Sequence, residues 1–241
     1  MIEGEVSSNT LLDNLTGIQR RIGAAARRAG RAPKTIELVA VTKHAPIAAV
    51  RTLIEKGGVR WFGENRVQDG RRRREALGPE AARVGWRFIG HLQTNKVAPA
   101  LEMYDWIDSV DSLRLAEALD KRLRLDKDEK RQRVLVQVKL TGKETQSGVA
   151  PGELEAFLRR LRPLSRLRIR GLMGIAPFLE PIESVRPHFR KLRELFERFF
   201  PRGDDGEGEG PYLSLGMSRD FEIAVEEGAN LVRIGTSLFA G

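Results

Sequence analysis

The most reactive residue type that this sequence offers at a structured position is a lysine. Lys43 follows the apolar run 36–41 in the segment LVAVTKHAP, and Pro46 starts the next helical stretch. A lysine amine that is partly desolvated can lose its proton and form an imine with an aldehyde. A lysine at a strand end can equally reach water and have no chemical role. Its position alone does not decide between these interpretations.

The second chemical feature lies near the C-terminus and suits a phosphate group. Met217 and Ser218 separate an apolar run from a helical stretch, and Arg233, Gly235 and Thr236 end the following apolar run. Backbone N–H groups at helix starts, two hydroxyls and a closely approaching glycine can together bind phosphate. Alternatively, Ser218 caps a helix and Gly235 ends a strand. The lysine and the phosphate site together suit a ligand that has both an aldehyde and a phosphate, such as pyridoxal 5′-phosphate (PLP).

Two further polar residues follow apolar runs. Asn65 lies in the segment GENRVQD and His91 in the segment GHLQTNK. Asn65 is suited either to hydrogen-bonding a ligand or to capping the helix that follows it. His91 is suited either to lying against a flat ligand or to a solvated position in a loop. Both residues are candidate ligand contacts.

Secondary-structure elements must bring these residues together, and the hydropathy pattern predicts a regular alternation of strands and helices. A helix is predicted over 8–29, where apolar residues recur at helical spacing and Gly30 supplies a stop. Continuous apolar runs, typical of strands buried on both faces, then occupy 36–41, 59–62, 86–89, 106–110, 134–138, 167–172, 212–215 and 231–234. Helical stretches separate them at 47–56, 67–76, 95–103, 112–125, 151–161, 182–200 and 218–227.

Eight strands separated by seven helices predict a single α/β domain over residues 1–241, a (β/α)8 TIM barrel preceded by an N-terminal tail and helix over 1–30. A doubly wound open sheet is the alternative. The barrel is favoured because no G-x-G-x-x-G motif follows the first strand. Ligands of such barrels bind at the carboxyl ends of the strands, where all of the candidate residues fall.

Composition removes several classes of chemistry. The 241 residues include no cysteine, which excludes disulfides, thiolate nucleophiles and Cys-containing zinc sites. We expect no metal site and no membrane span, and the absence of an export signal favours the cytoplasm. The net charge of +9 permits an anionic partner. The basic run Arg71 to Arg74 lacks interleaved aromatic residues, so we interpret it as a solvated helix face and expect no nucleic-acid binding.

One low-complexity stretch interrupts the alternation. Residues 203–210 read GDDGEGEG, an acidic and glycine-rich segment before the seventh apolar run. Its acidic residues lack the spacing of a calcium-binding loop. We interpret the segment as a flexible connector.

The motifs in their order and spacing resemble those of the pyridoxal phosphate homeostasis proteins. The resemblance extends from about residue 36 to the C-terminus, and it is carried by LVAVTKHAP, FGENRVQD, WRFIGHLQTNK, QSGV, RGLMGIAP and LSLGMSRDFEIAVEEGANLVRIGTSLF. It implies a barrel similar to the N-terminal domain of alanine racemase, with PLP held as a Schiff base on Lys43. It also implies that Asn65 lies near the cofactor ring and that Arg233 faces the pyridine nitrogen.

The resemblance implies a role in PLP homeostasis without catalytic turnover, and therefore no catalytic residues. PLP-dependent apo-enzymes are then possible partners, and a monomer is expected. A small amino-acid racemase is the alternative, with His91 as a candidate second base. The sequence departs from the family pattern at Arg66, where an aromatic residue is common, and at Arg219, where an acidic residue is common.

Overall fold

The architecture is taken from a computed structural model, which describes residues 6–126, 128–141, 146–201 and 211–241. Its eight strands are Glu37–Val41 (β1), Trp61–Glu64 (β2), Gly85–Phe88 (β3), Trp106–Val110 (β4), Gln132–Lys139 (β5), Leu167–Ile175 (β6), Tyr212–Ser214 (β7) and Leu231–Ile234 (β8). All neighbouring strands pair in parallel in chain order, and β8 pairs with β1 to close a barrel.

A helix follows each of the first seven strands, as parallel pairing of consecutive strands requires. The helices are Ser8–Arg28 (α1), Ile47–Glu55 (α2), Val67–Leu77 (α3), Val97–Met103 (α4), Leu113–Arg124 (α5), Leu154–Leu161 (α6), Arg186–Phe199 (α7) and Phe221–Glu226 (α8). Short 3₁₀ helices occupy Pro33–Thr35, Gly78–Arg83, Thr94–Lys96, Pro151–Glu153 and Ile182–Val185. Helix α1 precedes the barrel and packs mainly against α8.

The N-terminal helix is fixed by its cap and by its apolar face. Ser7 Oγ accepts the backbone N–H of Thr10 at 3.1 Å, which satisfies one of the free donors at the helix start. Beyond its C-terminus, Arg31 donates to the carbonyl oxygens of Val225 and Ala229 in the α8 region. Its buried apolar residues recur at helical spacing: Leu11, Leu15, Ile18 and Ile22. The helix therefore covers the barrel next to the last βα unit.

The barrel interior is packed with side chains below the carboxyl ends of the strands. One buried layer contains Val39, Trp61, Trp106, Leu135, Met173, Tyr212 and Leu231. Within it, Arg87 Nε lies 2.8 Å from Asp108 Oδ2, and both side chains are fully buried. The Arg87 guanidinium also lies 4.1 Å from the ring centroid of Trp106. This packing fills the barrel interior at the level of that layer.

The predicted closed barrel and the N-terminal helix are confirmed, and the open sheet is excluded by the pairing of β1 with β8. Several element ends differ from the prediction. Strand β5 begins at Gln132, whose side chain is buried and donates to the Asp105 carbonyl at 2.9 Å. A polar residue with a hydrogen-bond partner can start a buried strand, and an apolar pattern does not reveal it.

The interpretation of the basic run as a solvated helix face is wrong for one of its residues. Arg71 and Arg72 are exposed on α3, but Arg73 is buried and pairs with Glu64 at 2.6 Å. Arg74 donates to the carbonyl oxygen of Met103. A buried carboxylate next to the barrel wall explains why an arginine in this run points inward.

Two further predictions concern a membrane span and the acidic segment 203–210. Within the residues that the structure describes, no helix is both long and apolar enough to cross a membrane. The acidic segment 203–210, interpreted above as a connector, lies outside the described residues.

Candidate functional site

A cleft of about 410 Å³ opens at the carboxyl ends of the barrel strands. Its volume falls within the range of about 300–1,000 Å³ that is typical of small-molecule sites. Its wall consists of Val41, Asn65, Ile89, Ile175, Ala176, Pro177, Phe178, Ile182, Met217, Ser218, Arg219, Asp220, Arg233, Gly235 and Thr236. The cleft is apolar on one side and polar on the side formed by the loops after β7 and β8.

The structure brings most of the predicted binding residues to this one cleft. Those that line it are Asn65, Met217, Ser218, Arg233, Gly235 and Thr236. Asn65 follows β2, and α3 begins two residues later at Val67, with Arg66 in the cap position. Asn65 therefore faces the cleft and does not cap α3. Lys43 and His91 are not among the residues that line the cleft.

Ser218 organises the polar side of the cleft. Its Oγ accepts the backbone N–H of Gly235 at 3.3 Å and that of Ser237 at 3.2 Å. Helix α8 begins only at Phe221, so Ser218 does not occupy the N-cap position expected from the sequence. Two backbone N–H groups and a hydroxyl thus converge at the loops after β7 and β8. We call Ser218, Gly235 and Ser237 the hydroxyl–amide cup.

A glycine and an aspartate shape this cup. A Cβ atom at Gly235 would lie 3.2 Å from the carbonyl oxygen of Val41, a distance tighter than most such contacts. Gly235 thus allows the loop after β8 to approach β1 closely. On the other side, Asp220 Oδ1 accepts the N–H of Met217 at 2.6 Å and fixes the loop after β7.

Arg233 places a buried cation at the base of the cleft. Its Nη1 donates to the carbonyl oxygen and the Oγ of Ser214, at 2.9 and 2.6 Å, and its Nη2 donates to the Gly174 carbonyl at 2.8 Å. Burial lowers the pKa of Arg233 to about 10. The guanidinium is still charged at neutral pH, and its three hydrogen bonds fix its position between β6, β7 and β8.

Lys43 lies beside the cleft in an exposed turn. Strand β1 ends at Val41, which lines the cleft, and Lys43 follows two residues later. Since side chains alternate along a strand, Val41 defines the side of β1 that faces the cleft. The turn is closed by the Ala45 N–H, which donates to the Thr42 carbonyl at 2.8 Å. The long flexible side chain of Lys43 starts at the rim, and its covalent role stays a prediction.

His91 is engaged elsewhere on the same end of the barrel. Its Nδ1 lies 2.8 Å from Asp111 Oδ2 and 3.3 Å from Ser147 Oγ. The side chain is 58% exposed, whereas that of Asp111 is buried. This arrangement links the loops after β3 and β5 to the end of β4.

The rim formed after β6 was not among the binding residues predicted from the sequence. Phe178 is 78% exposed, and the guanidinium of Arg219 lies 3.7 Å from its ring centroid. Arg219 also pairs with Glu180. The segment GIAPF follows the sixth apolar run, so the rule that ligands bind after barrel strands was sufficient to include it. Nothing in the sequence indicates that Arg219 stacks on Phe178.

The closed parallel barrel of eight strands, with a cleft at the loops after β7 and β8, places this protein in the class of (β/α)8 barrels. The family described as "Alanine racemase, N-terminal domain" matches residues 14–241. A protein of *Aquifex aeolicus* named "Pyridoxal phosphate homeostasis protein" is 40% identical over 227 residues, which are 94% of this chain and 96% of that protein. A *Pseudomonas aeruginosa* protein of the same name is 38% identical and covers 96% of this chain and 95% of its own length. This chain belongs to the family of pyridoxal phosphate homeostasis proteins.

Solved structures agree with this assignment. PipY from *Synechococcus elongatus*, determined with PLP bound, is 36% identical, with a TM-score of 0.75, and covers 92% of this chain and all of its own. The crystal structure of a protein from Bifidobacterium adolescentis described as "unknown" is 30% identical, with a TM-score of 0.85 and 98% coverage of each chain. An alanine racemase of *Clostridium difficile* is 15% identical with a TM-score of 0.66, which shows a shared fold.

Proposed function

We propose that this protein binds PLP in the cleft, holds it as a Schiff base on Lys43 and serves intracellular PLP homeostasis without catalytic turnover. The observation that carries the proposal is the hydroxyl–amide cup, of which Ser218 and Gly235 line the same cleft as Arg233. The named homeostasis proteins and PLP-bound PipY support the choice of ligand.

The residues of the cleft fit the chemical groups of PLP. The backbone N–H groups of Gly235 and Ser237 and the hydroxyl of Ser218 suit a phosphate, because a phosphate can replace Ser218 Oγ as the acceptor of those N–H groups. The apolar side of the cleft, with Ile89 and Ile175, suits the flat face of an aromatic ring. The residues therefore match both the anionic and the aromatic part of the cofactor.

Lys43 and Arg233 have distinct roles in this proposal. When bound, PLP would supply an aldehyde, and Lys43 would supply the amine that condenses with it with loss of water. Arg233 presents a fixed cation toward the ring nitrogen and, since it has no proton acceptor, keeps that nitrogen unprotonated. An unprotonated ring stabilises a carbanion poorly, which disfavours amino-acid turnover.

The positions of the chain's two tyrosines also support binding without turnover. Racemisation requires an acid–base group on each face of the substrate. Tyr212 OH donates to Glu37 Oε1 at 2.8 Å, at the amino-terminal end of the strands. Tyr104 is buried behind the barrel wall, and burial raises its pKa above the usual value. Neither tyrosine lines the cleft.

The remaining parts of the proposal concern the setting of the protein. We assign residues 1–241 to one domain, because the matched family region begins inside α1 and extends to the C-terminus. We place the protein in the cytoplasm and expect it to be a monomer. PLP-dependent apo-enzymes in that compartment are candidate recipients of the cofactor.

The test is the absorption spectrum of the purified protein with PLP, followed by borohydride reduction and peptide mass mapping. We expect a Schiff-base band and a reduced adduct on Lys43, both absent from Lys43→Ala. Lys139→Ala is the matched control, since Lys139 ends β5 opposite Ile175, a cleft residue. An adduct on Lys139, or one scattered over surface lysines, would overturn the assignment. Steady racemisation of amino acids that depends on Lys43 would replace the homeostasis role with a racemase.

A further inference from the structure

We infer that Glu64 and Arg73 are positioning residues for Lys43, and that they act by fixing the turn that carries it. We call residues 42–45 the lysine turn. The inference rests on the proposed function, because it gives a role to the lysine that the proposed function uses. It concerns two residues that do not line the cleft.

One guanidinium holds both ends of the lysine turn. Arg73 Nη2 donates to the carbonyl oxygen of Thr42 at 2.5 Å, and Nη1 donates to that of Ala45 at 2.9 Å. These two carbonyls bracket Lys43. Arg73 comes from α3, so the turn after β1 is anchored to the helix after β2.

A buried carboxylate fixes Arg73 in turn. Glu64 is fully buried, and its Oε1 accepts hydrogen bonds from Arg73 Nε at 2.6 Å and from Thr42 Oγ1 at 2.5 Å. Glu64 therefore contacts both the anchoring arginine and the first residue of the turn. Its Oε2 is buried without a hydrogen-bond partner among the described residues. A buried ion pair of this kind can specify geometry even where it adds little stability.

The anchor matters because it sets the direction of the side chains where β1 passes into the lysine turn. Val41 faces the cleft, whereas the Thr42 side chain points to the opposite side of β1, toward Glu64. Thr42 is thus held outward at the end of β1, and the turn that carries Lys43 begins there, next to the cleft residue Val41. Glu64 also directly precedes the cleft residue Asn65, so the residue that contacts Thr42 is the chain neighbour of a second residue of the proposed site. Fixed orientation of a nucleophile accelerates its reaction with a bound partner.

The test separates reaction of the lysine from binding of the ligand. Pyridoxine 5′-phosphate carries the ring and the phosphate but has no aldehyde, so it reports the cleft alone. We expect Arg73→Met to slow Schiff-base formation with PLP by about tenfold or more, as the loss of charge-assisted hydrogen bonds indicates. Its affinity for pyridoxine 5′-phosphate stays close to that of the wild-type protein. Arg73→Lys recovers part of the rate, and Arg72→Met, on the exposed face of α3, leaves it unchanged.

A second variant and a second readout keep the inference open to refutation. Thr42→Val removes one hydrogen bond to Glu64 and keeps the side-chain volume, so it is informative if Arg73→Met does not fold. Amide hydrogen exchange at Ala45 measures the order of the lysine turn without any ligand, and we expect it to increase in both variants.

The outcomes distinguish the two proposals. A wild-type rate of Schiff-base formation in both Arg73→Met and Thr42→Val would overturn the inference. The inference would also be overturned if the affinity for pyridoxine 5′-phosphate fell by the same factor as the rate of Schiff-base formation with PLP. Such a result would indicate a general structural role. If the wild-type protein forms no Schiff base, the proposed function fails. Unchanged exchange at Ala45 in both variants would then also refute the anchoring of the turn.

Discussion

Ser218 Oγ accepts the backbone N–H of Gly235 at 3.3 Å, so the loop after β7 is bonded directly to the loop after β8. The same oxygen also accepts the N–H of Ser237. One hydroxyl thus arranges two backbone donors in the segment that follows β8. In this arrangement the donors point toward a shared acceptor, which is the geometry that an anion needs.

Ser218→Ala is expected to weaken PLP binding by about tenfold, because it removes a hydroxyl donor and leaves two N–H groups without their organising acceptor. The measurement is equilibrium titration followed by fluorescence or absorbance. Pyridoxal, which has the aldehyde but no phosphate, is the control ligand and is expected to bind both proteins equally. An equal loss of affinity for pyridoxal would show that Ser218 does not act on the phosphate.

Arg233→Lys is expected to reduce both PLP affinity and stability. A lysine retains the charge but cannot donate from two fixed nitrogens to Ser214 and Gly174 at once. The buried acceptors left unpaired cost about 1–3 kcal/mol of unfolding free energy. Chemical denaturation measures this loss, and Arg71→Lys on the exposed face of α3 is the control. A denaturation midpoint equal to that of the wild-type protein would contradict the role of the three hydrogen bonds.

The fold was predictable because each buried parallel strand is a continuous apolar run. The run 231–234 predicts β8 although it contains Arg233, since the other residues of the strand are apolar. The positions of Ser218 and Gly235 in the cleft were predictable because barrel ligands bind at the carboxyl ends of the strands, whereas the part of Ser237 in the cup was not predicted. Both predictions depend on local composition and on a rule of topology.

What the sequence did not reveal depends on partners that are distant along the chain. Arg73 lies in a basic run that suggests exposure, and only the proximity of Glu64 explains its burial. Arg87 and Asp108 each follow an apolar residue in a strand, and their mutual pairing is invisible until β3 and β4 are adjacent. Charge compensation between neighbouring strands is a tertiary property, so no local pattern encodes it.

Asp108→Asn is expected to destabilise the protein by about 3–5 kcal/mol, because it leaves the Arg87 cation buried without a counter-charge. Asp108 is held by two hydrogen bonds, from Arg87 Nε at 2.8 Å and from Nη2 at 3.0 Å. The double variant Arg87→Met with Asp108→Leu removes both charges and is expected to recover much of the stability. Urea denaturation compares the three proteins.

The matched control for the buried pair is the partly exposed ion pair between Arg122 of α5 and Asp126, which lies just beyond the C-terminus of that helix. Asp126→Asn is expected to leave the denaturation midpoint unchanged, because water and salt screen such pairs. If Asp108→Asn were as mild as Asp126→Asn, the barrel interior would have to admit water to Arg87.

Stability is expected to fall at acidic pH through Glu227, which joins α8 to α7. Burial raises the pKa of Glu227, but hydrogen bonds from Arg190 and Arg186 outweigh this effect, so the pKa lies below the ordinary value of 4.5. A carboxyl group with a lowered pKa stabilises the fold above about pH 4.5. That contribution is lost as the pH falls through the lowered pKa of the folded state.

Thermal unfolding of the wild-type protein and of Glu227→Gln between pH 7 and pH 3 tests this account. We expect Glu227→Gln to have the lower Tm at pH 7, since it loses charged contacts with Arg190 at 3.1 Å and Arg186 at 3.2 Å. Below about pH 4.5 the unfolded chain takes up a proton at this carboxyl group, and the folded protein does so at its lower pKa, so the difference in Tm narrows. Glu155→Gln, which removes an exposed pair with Arg198, is the control and has little effect at either pH. A difference in Tm that is constant from pH 7 to pH 3 would mean that the Glu227 charge does not stabilise the contact between α7 and α8.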